Sequence, residues 1–60
     1  MSKNEILFKI TVIENDIVEM KMYFEMEDDI IIKHFLLEKI NKLEKEIKEL
    51  ERMINDFDCE

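Results

Sequence analysis

Seven apolar residues in the second half of the chain, Leu36, Ile40, Leu43, Ile47, Leu50, Ile54 and Phe57, are separated by steps of four, three, four, three, four and three. A helix gathers residues at this spacing into one narrow stripe. The positions between them are mostly charged, and Glu38–Lys42, Glu44–Lys48 and Lys45–Glu49 add i,i+4 pairs worth a few tenths of a kcal/mol each. A narrow stripe on a charged helix is hidden best by a second helix, so the spacing restricts the chain to folds in which a long helix finds a helical partner. With Ile40, Ile47 and Ile54 at a and Leu43, Leu50 and Phe57 at d, the residue types favour a parallel two-stranded coiled coil. The flanking charges are mixed. In a parallel pair Lys39 would attract Glu44 of the partner subunit, while Glu46 would repel Glu51 of the partner subunit.

Size points the same way. Sixty residues form a single domain, 1–60, and a chain this short buries too small a share of its surface to be comfortable alone. Cys59 is the one cysteine and His34 the one histidine, which leaves no intrachain disulfide and little basis for a structural metal. Self-association is the expected remedy, with Leu36, Ile40, Leu43, Ile47, Leu50, Ile54 and Phe57 as the oligomer interface.

The first half shows a different rhythm. Ile6, Phe8, Ile10 and Val12 alternate with Leu7, Lys9, Thr11 and Ile13. After Glu14-Asn15-Asp16 a second alternation sets Val18, Met20, Met22, Phe24 and Met26 against Ile17, Glu19, Lys21, Tyr23, Glu25 and Glu27. Alternation with a short Asn-Asp break predicts a β-hairpin over 5–27. A three-residue loop pairs Val12 with Val18 and Ile10 with Met20. It requires Asn15 or Asp16 to take a left-handed conformation, since the chain has no glycine, and it sets Lys9 opposite Lys21. Asp28 or Asp29 caps the following helix, and Ile30, Ile31, Ile32, Phe35, Leu36 and Leu37 form its sheet-covering surface. The expected fold is therefore α+β: a β-hairpin followed by one long amphipathic helix over 29–57 (ββα), dimerised through helix packing as a coiled coil.

The net charge is −7. Three lysines against five acids leave residues 1–26 at −2, and six Lys or Arg against eleven acids leave residues 27–60 at −5. Such a chain repels phosphate and anionic lipid and favours a protein partner with a basic surface. No run reads as a signal peptide or a bilayer-spanning segment, and the unpaired cysteine fits a reducing compartment, so a cytoplasmic protein is expected.

Few residues invite chemistry. His34 with Glu38 one turn on could act as a base or a ligand, but a surface histidine is the simpler reading in so acidic a chain. Glu25, Glu27, Asp28 and Asp29 lack the spaced ligands and glycine of a calcium loop and read as a strand edge and helix cap. Met20, Met22 and Met26 read as core beneath the helix. Cys59, in an acidic setting, reads as an ordinary thiol. There is no phosphate loop, nucleophile elbow or cysteine pair, so neither enzymatic activity nor a cofactor is expected. Tyr23, Glu25, Glu27, Glu44 and Glu51 are the candidate contacts for a partner protein.

Three functions fit these features: a protein that binds and inhibits or regulates another protein, a structural dimerisation or assembly module, and a small transcriptional regulator. The last is disfavoured by Glu5, Glu19, Glu25 and Glu27 on the strands that would meet DNA. In size, acidity, AT-rich residue usage and lack of catalytic motifs the chain resembles the very small proteins that bacteriophages encode against host defence, such as anti-CRISPR inhibitors. The resemblance implies a homodimer that binds a host nuclease, helicase or sensor; it carries over no individual residue.

Overall fold

The computed structural model describes residues 2–58, which form two α-helices joined by Glu27-Asp28-Asp29: α1, Lys3–Met26, and α2, Ile30–Asp58. A three-residue link between long helices that pack on each other makes an antiparallel helical hairpin. No strand occurs among the described residues. The expected β-hairpin over 5–27 is thus overturned: that segment is one continuous helix, and the chain is all-α rather than α+β.

The reason lies in a second periodicity. Ile6, Ile10, Ile13, Ile17, Met20 and Phe24 are spaced by four, three, four, three and four, the same rhythm as the stripe on α2. Ile6, Ile10, Ile13 and Ile17 are buried, and Met20 and Phe24 are half-buried. Phe8, which alternation groups with Ile6, is 71% exposed, whereas Ile6 is 0% exposed. β-branched residues favour strands only weakly, and a helical partner overrides that preference.

Local chemistry supports the helix. Ser2 caps α1, its Oγ accepting from the Glu5 N–H at 3.3 Å while its hydroxyl donates to Glu5 Oε1 at 3.2 Å. Thr11 turns its hydroxyl back onto the Leu7 carbonyl at 3.1 Å. Glu14-Asn15-Asp16, expected as a turn, lies exposed in mid-helix. No described residue has positive φ, so the left-handed turn that the hairpin demanded of Asn15 or Asp16 is not needed. Glu27 then leaves the helix in an extended conformation, φ −84° and ψ 133°.

Of the two candidate caps for α2, the structure selects Asp29. Its Oδ1 accepts from the Ile31 N–H at 2.9 Å, its carbonyl accepts from the Lys33 N–H at 2.9 Å, and its own N–H donates to Glu27 Oε1 at 3.2 Å.

The core is one thin seam between the helices. Ile6, Ile10, Ile13, Ile17, Ile40 and Leu50 are buried, with Met20, Leu43, Ile47 and Ile54 packed against them. The molecule is a rod whose Cα atoms span 48 × 14 × 14 Å. Its accessible surface is 5156 Å², against about 4200 Å² for a compact chain of 7.4 kDa by the usual size scaling. Many apolar side chains therefore remain in water.

Candidate protein-interaction surface

The stripe predicted as an oligomer interface is occupied by α1 of the same chain. Ile40 and Leu50 lie in the intrachain core, Leu43, Ile47 and Ile54 pack against it, Leu36 is half-buried, and Phe57 stays 47% exposed. The sequence called for a helical partner, and the first half of the chain supplies it.

The broad apolar surface at the start of α2 has a different fate. With no sheet to cover, Ile30, Ile31 and Phe35 are 80%, 68% and 64% exposed. The end of α1 brings Tyr23 and Met26 to the same end of the rod, and both are exposed. All five residues lie within about two helical turns of the loop. Glu25 and the loop acids Glu27, Asp28 and Asp29 border them, Glu27 half-buried and the rest exposed. The loop end thus gathers exposed apolar side chains and carboxylates, and it contains three of the five predicted contact residues: Tyr23, Glu25 and Glu27.

This end is also fastened across the hairpin. The Lys33 ammonium lies 4.9 Å from the centroid of the Phe24 ring. His34 Nε2 meets Glu38 Oε1 at 3.1 Å, both side chains well exposed. Among the described residues, no group of three or more His, Cys, Asp or Glu is placed to hold a metal ion.

Glu44 and Glu51 fall elsewhere. With Glu14, Ile17, Val18, Ile47 and Lys48 they line an open groove of about 370 Å³ along one side of the helix pair. The methionine stripe divides: Met20 packs on the core, while Met22 and Met26 are 58% and 74% exposed. Cys59 lies outside the described residues. Among those residues, no helix is long and apolar enough to cross a membrane.

Two features escaped the alternating reading of the first half. One is the helix start at Ser2, which the spacing Ser2-Lys3-Asn4-Glu5 signals as a capping box. The other is the exposed row on the outside of α1, visible only once that segment is known to be helical. No protein-family model matches the chain, and no curated protein or solved structure does either.

Proposed function

We propose that this chain is a small, non-enzymatic protein-binding module that inhibits or regulates a partner protein in the cytoplasm, docking through its loop end. The observation that carries the reading is the exposure of Tyr23, Met26, Ile30, Ile31 and Phe35 around the acids Glu27, Asp28 and Asp29. Exposed apolar groups gathered beside charged ones are a common feature of protein-binding surfaces, with aromatic and methionine side chains as anchors. The loop acids select a partner whose apolar cleft is bordered by Lys or Arg, and they speed encounter with it. Inhibition of a host defence protein, the role implied by the resemblance to small phage proteins, is the form of this reading we adopt.

Capture from a host lysate tests it. The wild type is expected to retain one basic protein in stoichiometric amount, released at high salt. Tyr23→Glu/Phe35→Glu, altered only at exposed positions, is expected to lose it while keeping its helical circular dichroism. Recovery of no protein besides the chain itself, or equal capture by the variant, refutes the reading.

Structural assembly is the second reading, favoured by the spread of apolar residues around α1: Leu7, Phe8, Val12, Val18, Met22 and Met26 all stand outside the seam. The regulator reading drew on strands meeting DNA, and that basis falls with the strands.

A further inference from the structure

We infer that the outer face of α1 is a self-complementary dimer interface, on which a second copy of this chain docks its own α1 in antiparallel orientation. Phe8, Val12, Asn15, Glu19, Met22 and Met26 repeat the spacing of the inner row, and each lies two residues after one of Ile6, Ile10, Ile13, Ile17, Met20 and the half-buried Phe24. Two residues turn a helix by about 200°, so this second stripe runs along the side of α1 opposite α2. Phe8, Val12, Met22 and Met26 are 71%, 43%, 58% and 74% exposed, and Asn15 and Glu19 are exposed as well. A helix that is apolar on both sides is built to lie between two neighbours, and the hairpin supplies only one.

The order of residues selects the occupant and its direction. The stripe is apolar at both ends and polar in the middle. Antiparallel pairing about a two-fold axis level with Ile17 sets Phe8 against Met26 of the partner subunit. It sets Val12 against Met22 of the partner subunit, and Asn15 against Glu19 of the partner subunit. Every apolar residue then meets an apolar one, and each Asn15 amide can donate to a carboxylate. Parallel pairing in register would instead press Glu19 against its own copy. On the flanks of the antiparallel pair, Val18 meets its own copy on one side. Asp16 meets its own copy on the other, a like-charge contact that stays in solvent.

Area agrees. The hairpin exposes roughly 950 Å² more than a compact chain of its mass, enough to supply the 800 Å² or so that each partner contributes to a standard interface. Because the two stripes of α1 lie on opposite sides, the dimer is a flat layer of four helices, with the two α1 helices inside and the α2 helices outside. Its loop ends face opposite directions. Met26 is common to both surfaces, whereas Ile30, Ile31 and Phe35 lie on the outer α2 helices, so the inference rests on observations other than those behind the loop-end binding reading.

Sedimentation equilibrium at several concentrations, paired with circular dichroism, tests it. The wild type is expected to be a dimer in the micromolar range. Phe8→Glu/Val12→Glu, both at exposed positions away from the loop, is expected to be a helical monomer. Asn15→Lys adds a charge facing Glu19 of the partner subunit and is expected to tighten association several-fold, whereas in a parallel pair it would oppose its own copy and weaken it. A wild type still monomeric at millimolar concentration, a double variant that dimerises like the wild type, or weakening by Asn15→Lys overturns the inference. Should the double variant fail to fold, Asn15→Lys decides alone.

Discussion

Lys33 holds its ammonium 4.9 Å above the ring of Phe24, and this contact ties the first turn of α2 to the last turns of α1 just where the thin core gives out. Phe24 is half-buried, and beyond it the apolar residues of both helices are exposed. A cation over an aromatic face at a partly exposed site contributes about 0.5–1 kcal/mol. Lys33→Met keeps the aliphatic stem and removes the charge. It is expected to lower stability by that amount in urea denaturation, with no change in helix content at low denaturant. A variant as stable as the wild type would show that the contact contributes nothing.

Asp28 and Asp29 are neighbours in an acidic loop, yet only Asp29 accepts from a helix N–H by its side chain in this structure, that of Ile31 at 2.9 Å. Loss of a cap of this kind costs about 0.5–2 kcal/mol. Asp29→Ala is therefore expected to lower the melting temperature clearly. Asp28→Ala, which removes only a charge near the positive end of the helix dipole, is expected to change stability by a few tenths of a kcal/mol. Thermal melts of the two single variants side by side distinguish them, and equal losses would contradict the assignment.

Ile6 and Ile31 are the same residue type in opposite surroundings, 0% and 68% exposed. Truncating a buried isoleucine to alanine costs about 2–5 kcal/mol, a large part of the stability available to a chain of this size. Ile6→Ala is expected to be largely unfolded or strongly destabilised. Ile31→Ala removes no buried contact and raises helix propensity, so it is expected to be neutral or slightly stabilising. Chemical denaturation followed by circular dichroism reads both.

The second half of the chain was legible because one period fits it. The steps from Leu36 to Phe57 match a helix and nothing else, and the acids at Asp28 and Asp29 mark its start. The first half fits two periods at once. Ile6, Phe8, Ile10 and Val12 alternate, while Ile6, Ile10, Ile13 and Ile17 follow the helical repeat, and their β-branched character tips a local reading toward strand. Three signs pointed the other way: the Ser2-to-Glu5 spacing, a turn that lacked glycine, and Lys9 facing Lys21. The loop-end patch was partly legible, since Tyr23, Glu25 and Glu27 were singled out. Ile30, Ile31 and Phe35 were expected to cover a sheet and were left bare by its absence.

By itself the sequence determined that a long helix begins near residue 30, that it carries a narrow apolar stripe needing a helical partner, and that the surface is acidic. These follow from spacing and charge, which are local properties. Only the tertiary structure decided that the partner is the preceding segment of the same chain, because the choice between strand and helix there rests on contacts with residues far along the sequence. It also decided which stripe of α1 turns inward. The row from Ile6 to Phe24 is apolar without a break, whereas the row from Phe8 to Met26 would bury Asn15 and Glu19 against an apolar seam that offers their polar groups no partner.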